Sequence, residues 1–299
     1  MIILRWIARV LSVLAVLALL AAAAVYAISR NMLTGHIAAA DVAPAVDLRH
    51  GDIRRGEHLA RAITGCTSCH GANLAGSSVI DNWALATVYA PNLTRGDGGA
   101  GAGYTDSDWV RALRRGIRRD GTPLIIMPSR DFAELTQADL AAVVSYVLSV
   151  PAVSNRTPPA RIGPLGRVLF ATRQLPLPAE NILRDNPRPS NVRPGVTIAY
   201  GQYLARVGGC MACHGAHLSG GHFEGGPSDP PAQNLTPAGD LQRWSFAQFT
   251  RTLRTGVRPD GTHLDTFMPW PTIGQMTDDE LRAIYNFLKS VPPRPTGDG

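Results

Sequence analysis

Apolar and polar residues alternate along this chain in two distinct ways. From Val10 to Ile28 there are 19 residues with no charge, which as an α-helix would extend about 28 Å at 1.5 Å per residue, the thickness of a bilayer core. Arg5 and Arg9 precede this block and Arg30 follows it. The positive-inside rule therefore predicts a single span with its N-terminus in the cytoplasm and the rest of the chain outside. A cleaved signal peptide is the alternative, with Ala21 to Ala24 and Ala27 as cleavage material, but its apolar run is usually only about 7–15 residues. Residues 1–30 are expected to be a membrane anchor, spanning through residues 10–28, and 31–50 a tether.

Beyond the tether the pattern becomes helical and occurs twice. Gly56-Glu57-His58-Leu59-Ala60-Arg61 is answered by Gly201-Gln202-Tyr203-Leu204-Ala205-Arg206, and Asn92-Leu93-Thr94 by Asn234-Leu235-Thr236. Trp109, Leu113 and Ile117 fall at i, i+4, i+8, as do Phe249, Leu253 and Val257, giving each copy one apolar helical face. Capping boxes are predicted at Thr105/Asp108 and Ser245/Gln248. A last helix opens at Thr136-x-x-Asp139 and at Thr277-x-x-Glu280, and each copy stops at Val-Pro, where proline cannot extend the ladder. The expected architecture is all-α, with about three helices in each of two domains, 51–151 and 196–299. Residues 152–195 form a Pro/Arg-rich connector between them.

Charge refines this picture. The net +6 resolves into three Arg in residues 1–30 and seven Arg against Glu180 and Asp185 in the connector, while each repeat is slightly acidic. A basic surface for nucleic acid is therefore not expected. The connector reads either as a semi-rigid spacer or as a docking strip. In the second case Val168, Leu169 and Phe170 would meet a membrane protein, and the arginines would meet lipid phosphates or acidic side chains. Arg111, Arg114, Arg115 and Arg118 line one helix face, read as a solvated stripe or as a contact for cofactor carboxylates or an acidic partner.

All four cysteines lie in two pentapeptides of the form C-x-x-C-H: Cys66-Thr67-Ser68-Cys69-His70 and Cys210-Met211-Ala212-Cys213-His214. That spacing is the attachment signature of a c-type haem. The two thiols reach the vinyl groups of one porphyrin edge, and the adjacent imidazole supplies an axial ligand. Zinc ribbons place their pairs much closer in sequence, about 15–20 residues apart. Two covalently bound haem c groups are expected, on Cys66 and Cys69 and on Cys210 and Cys213, with iron bound by His70 and His214. Met127 in Ile126-Met127-Pro128 and Met268 in Phe267-Met268-Pro269 stand at matching places and are the candidate sixth ligands. A soft thioether opposite histidine raises a haem's reduction potential and closes its coordination sphere. The remaining histidines, His36, His50, His58, His217, His222 and His263, have no partner in the other repeat and are expected to be mostly solvated.

Taken together, G-E-x-L-A-R before C-x-x-C-H-G, then N-L-T, a helix ending R-x-G-[IV]-R-x-D-G-T, and M-P resemble the multihaem cytochrome c subunits of bacterial membrane-bound alcohol, aldehyde and gluconate dehydrogenases. The resemblance covers about residues 50–151 and 196–293 and implies two class I cytochrome c domains with His/Met ligation. Those subunits generally carry three haems, and this chain has two attachment motifs. The implied function is a dihaem electron carrier anchored in the bacterial inner membrane, its haem domains in the periplasm. It would work between a redox donor and acceptor such as a dehydrogenase, an oxidase or another cytochrome, and would not itself be an enzyme. The alternative is a dihaem enzyme, such as a peroxidase or a small-molecule dehydrogenase, with one displaceable axial ligand.

Overall fold

The computed structural model describes residues 2–37, 46–221 and 231–298. Helix α1 (Ile2–Thr34) carries the uncharged run between Arg9 and Arg30 and is long and apolar enough to cross a membrane, by length and composition, and it stands next to the N-terminus, as a signal sequence would. The tether's residues 38–45 lie outside the described residues. Its ends are packed: Ile37 N–H donates to Gly121 O (3.0 Å), and Leu48 is fully buried beneath Ser145, whose hydroxyl donates to Leu48 O (2.9 Å).

The first repeat begins with α2 (Ile53–His58), which continues without a break into a π-helical segment, Leu59–Ile63. It then forms the short α3 (Cys66–His70), strands β1 (Ser77–Asn82) and β2 (Ala86–Ala90), and helices α4 (Asp106–Arg115), α5 (Ser129–Phe132) and α6 (Gln137–Ser149). The second repeat gives α9 (Ile198–Val207), α10 (Cys210–His214), α11 (Phe246–Thr255), α12 (Trp270–Ile273) and α13 (Asp278–Ser290). In each half the first helix crosses the last at a glycine. A Cβ on Gly56 would lie 1.9 Å from Ala142 O, and one on Gly201 would lie 2.0 Å from Ala283 O. Only hydrogen fits there, so the backbones touch and the flanking apolar side chains interlock.

The π-segment has a cause in the sequence. Cys66 is ten residues after Gly56, whereas Cys210 is nine after Gly201. One inserted residue must be absorbed without moving either the glycine crossing or the cysteine, and a π-bulge does this. Thr64 N–H accordingly donates to Leu59 O (2.8 Å), five residues back.

The sheet departs from the all-α expectation while leaving the fold predominantly helical. Strands β1 and β2 pair antiparallel around a turn in which Asn82 Oδ1 accepts from Ala84 N and Leu85 N, both at 3.0 Å. β-branched and aromatic residues such as Val88 and Tyr89 favour this pleated, half-buried surface. The third strand, β3 (Arg161–Ile162), comes from the connector, which also folds into α7 (Pro164–Ala171) and α8 (Pro178–Asp185). Phe170, Leu177 and Ile182 are buried. The connector is therefore more than a semi-rigid spacer: it is folded against the first repeat. Phe170 is also unavailable as the docking residue that the sequence suggested.

The two repeats share one apolar core, and a buried polar network crosses between them. Arg55 Nε donates to Asp139 Oδ1 (3.0 Å), Nη1 to Glu280 Oε1 (2.8 Å) and Nη2 to Tyr200 Oη (2.8 Å). Tyr203 Oη donates to Asp139 Oδ2 (2.6 Å), and His58 Nε2 pairs with Glu280 Oε2 (2.6 Å). His58 is thus an interface residue, correcting the expectation that it is solvated. His222 lies outside the described residues.

Candidate functional site

Each C-x-x-C-H pentapeptide forms a single helical turn, α3 or α10, entered through a glycine at positive φ (Gly65, 62°; Gly209, 74°). A glycine at positive φ also follows each one (Gly71, 80°; Gly215, 78°). An L side chain is strained at such angles, so the glycines let a tight turn be inserted between longer elements. The turn is closed from behind by Gly76 N–H on His70 O (2.8 Å) and Gly220 N–H on His214 O (2.9 Å).

Both histidines are buried and oriented alike. His70 Nδ1 lies 2.8 Å from Pro91 O and His214 Nδ1 lies 2.7 Å from Gln233 O. A backbone carbonyl only accepts, so Nδ1 carries the proton and Nε2 keeps its lone pair, the tautomer that a metal-ligating imidazole requires. Burial lowers both imidazole pKa values, opposed in part by those carbonyl bonds, which keeps the rings neutral and ready to ligate.

The N-L-T motifs explain why those carbonyls stay in place. Asn92 Nδ2 donates to Val153 O (2.7 Å) and Asn234 Nδ2 to Arg294 O (2.8 Å), tying the loop to the strand of chain beyond the last helix. Leu93 N–H donates to Leu74 O and Leu235 N–H to Leu218 O, both 2.8 Å. Pro91 and Gln233, the residues immediately before each Asn, are thereby held against the histidines. The sequence displayed the motif's repetition, but its role depends on contacts about 60 residues away.

Met127 and Met268 are half-buried and pack against the shared core. The proline after each is the centre of an inverse γ-turn: Pro128 (φ −77°, ψ 51°) with Ser129 N–H donating to Met127 O at 2.8 Å, and Pro269 (φ −77°, ψ 48°) with Trp270 N–H donating to Met268 O at 2.7 Å. The two methionines thus leave their loops with the same backbone geometry. Met276, by contrast, is a buried core residue.

The arginine stripe is solvated only in part: Arg115 is exposed, Arg111 and Arg118 are half-buried, and Arg114 is internal. Arg114 is buried and donates to Ala133 O (2.7 Å) and Leu135 O (2.9 Å), and burial lowers its pKa to about 10. Arg118 donates to Pro123 O and Arg258 to His263 O, each bracing the loop that leads to its methionine.

The donor set fits a covalently attached haem in each half. None of the four cysteines is joined in a disulfide; burial raises the pKa of Cys66 and Cys69 and, with Asp131 nearby, pushes Cys210 up to about 12. Among the described residues no three His, Cys, Asp or Glu side chains converge as a group that could hold a metal ion. In the first half Trp109 Nε1 is buried with no hydrogen-bond partner, a donor left open to a polar group of a bound cofactor.

A family model described as cytochrome c matches residues 53–151 and 198–292, one stretch per repeat. The chain belongs to the cytochrome c family. Its cofactor is therefore covalently bound haem c. Over 302 residues this cytochrome is 30% identical to the cytochrome c subunit of a quinone alcohol dehydrogenase from Gluconacetobacter polyoxogenes, an alignment that covers 88% of the chain and 61% of that subunit. The chain thus spans about three-fifths of that relative's length. Shorter matches are a fructose dehydrogenase cytochrome subunit from Gluconobacter japonicus (32% over 100 residues; 31% of the chain, 21% of the relative) and a gluconate 2-dehydrogenase cytochrome c subunit from Pantoea cypripedii (35% over 103 residues; 31% and 23%).

Proposed function

We propose that this cytochrome is a membrane-anchored dihaem electron carrier. One haem would be held by Cys66, Cys69, His70 and Met127 in residues 51–151, and the other by Cys210, Cys213, His214 and Met268 in residues 196–299. Haem held in this way exchanges one electron at its iron without opening a substrate position. The chain's own residues fix the ligands, exclude water and hold the two centres in a constant relation. On this reading a dehydrogenase supplies the electrons and a membrane oxidase, quinone-linked complex or further cytochrome receives them. The relatives' membership of dehydrogenases supports a donor of that class. Retention of α1 would keep both domains on the periplasmic side of the inner membrane.

One observation carries the relay reading. Each attachment turn abuts the helix that follows the other half's Met-Pro pair: Ser68 Oγ lies 3.2 Å from Thr272 Oγ1, and a Cβ on Gly209 would lie 3.5 Å from Asp131 Oδ2. Both attachment turns therefore stand at the contact between the repeats, which the Arg55 network also bridges. A carrier with two stations in series needs this arrangement; two independent enzymes do not.

The test is a haem count by mass together with the methionine-to-ferric-iron charge-transfer band. Two haems are expected, with the band halved in Met127→Ala and in Met268→Ala and absent from the double variant. A high-spin ferric centre in the wild type, with peroxide turnover, would overturn the carrier in favour of an enzyme.

A further inference from the structure

The connector does more than join the repeats. Helix α7 packs along the C-terminal part of α1: Arg167 Nη1 donates to Ser29 Oγ (3.1 Å), and the guanidinium lies 4.5 Å from the Tyr26 ring centroid. Tyr26 and Ser29 flank the outer end of the apolar run, where a membrane–water interface would fall. The same helix is fastened to the β1–β2 turn, with Gly163 N–H donating to Leu85 O (3.0 Å) and Leu165 N–H to Ala84 O (2.9 Å). Trp83, at the tip of that turn, is 83% exposed.

Phe170 and Gly166 occupy the inner side of α7, while Leu165 (51% exposed) and Val168 (42%) project outward one turn apart. An exposed Trp beside an exposed aliphatic pair, on a helix packed against α1, makes the kind of contiguous apolar patch that marks an interaction surface. Arg161 and Arg173 flank the patch and are exposed, part of the connector's +5 balance. Tryptophan at headgroup depth, aliphatic side chains below it and arginines toward phosphate make the pattern of an interfacial segment. Arg173 also pairs with Glu180 (3.3 Å), but the net basic charge beside the anchor adds attraction to anionic lipid.

We infer that the β1–β2 turn and the outer face of α7 rest on the anionic bilayer surface beside α1, so that the first haem domain lies against the membrane instead of swinging on its anchor. The proposal rests on the reading of α1 as a retained span. Lipid is the occupant favoured over a protein partner because the patch is continuous with the span, and the hydrogen bond from Ile37 to Gly121 holds the domain to the anchor at a second point.

Full-length haem-loaded protein in nanodiscs of phosphatidylethanolamine and phosphatidylglycerol carrying a diazirine phospholipid tests this, with cross-linked peptides mapped by mass spectrometry. Labelling is expected at residues 80–85 and 164–170 as well as on α1. It should be lost from the first two regions, and kept on α1, in the Trp83→Ser, Leu165→Ser, Val168→Ser triple variant, whose haem spectrum stays unchanged. Wild-type labelling confined to α1 would overturn the proposal and leave the face to a protein. Labelling at 80–85 and 164–170 in a chain whose α1 has been cleaved would uphold the lipid surface while rejecting the anchor.

Discussion

The two repeats present the same ligand-bearing parts on differently supported frames. Gly56 and Gly201, the His–carbonyl pairs, the N-L-T clamps and the Met-Pro γ-turns match closely in position and distance. The surroundings diverge. The first repeat has a π-segment, a sheet completed by β3 and a buttress of α7 and α8; Trp109 stands where the second has Phe249, and Asp131 stands at the interface where the second presents Thr272. On the proposed reading the motif residues answer to the cofactor, and the residues that differ answer to their neighbours: the connector, the partner repeat and the charge around each attachment turn.

The strongest test of this contrast is the interface itself. Arg55 bridges Asp139, Glu280 and Tyr200, and Arg55→Met would remove the guanidinium from two buried carboxylates, leaving Asp139 with Tyr203 and Glu280 with His58, an effect of up to about 3–5 kcal/mol. Thermal melting should split into two transitions as the halves uncouple. Arg206, which pairs with Glu134 from a half-exposed position (3.0 Å), should cost at most about 1 kcal/mol when changed to Met. Burial alone would raise the Glu280 pKa. The hydrogen bond with His58, the Thr277 N–H and Arg55 outweigh it and hold the carboxyl at about 2, below its ordinary 4.5. Its contribution is therefore complete above pH 4.5 and is lost as pH falls towards 2. Melting that stays a single transition in Arg55→Met would mean that the apolar core alone joins the halves.

Next come the glycine crossings. Gly56→Ala and Gly201→Ala would each drive a methyl group into a backbone carbonyl, so the gain in helix propensity of about 1 kcal/mol is outweighed by overpacking of up to about 3 kcal/mol. Equal losses in the two variants are expected from calorimetry of the holoprotein. A much smaller loss for Gly56→Ala would show that the π-segment beside it yields where the unbroken α9 cannot.

Sequence periodicity made the repeat, the capped helices, the four candidate attachment cysteines and the four candidate iron ligands visible, because each depends on spacing within one short stretch. The capping boxes at Thr105 and Ser245 form as expected. At Thr136 the cap forms, but the Asp139 carboxylate turns away to Arg55 and Tyr203. That choice depends on a partner more than 60 residues off in either direction, and no local pattern announces it. His58 and Arg114 show the same limit: a polar residue on a helix looks solvated until the surface that covers it is known. The π-segment was detectable, since the Gly-to-Cys spacing differs by one residue between the repeats.

Asp131 breaks the comparison in a pH-dependent way. Burial, opposed by Arg130 and reinforced by Glu134, raises its pKa from 3.8 to about 6. The folded state therefore binds the proton more tightly than the unfolded chain, and stability declines as pH rises from about 4 to 6. Asp131→Asn should abolish that decline and gain up to about 3 kcal/mol at pH 7. Denaturant midpoints at pH 4 and pH 7 would check this, with Thr272→Val in the second repeat as the variant expected to show no pH dependence of its own. A pH profile unchanged in Asp131→Asn would place the titrating group elsewhere.

The smallest effect separates structural from cofactor roles at Trp109. Its ring packs edge-on against Tyr104 (centroids 5.1 Å apart), and its Nε1 is buried without a partner in the chain. Phenylalanine, the residue used by the second repeat, keeps an aromatic face and removes the donor. If the donor is unsatisfied whatever the haem content, Trp109→Phe relieves a buried orphan and offsets its lost packing. If a haem carboxylate accepts from it, the same change costs about 1–2 kcal/mol, and only in the loaded protein. We expect the second outcome: a lower melting temperature for the holoprotein, little change for a Cys66→Ser, Cys69→Ser form of the first domain within the full chain, and a shifted potential for one haem of the two. Equal effects with and without the first haem would make Trp109 a packing residue alone, and the difference from Phe249 would then carry no electrochemical meaning.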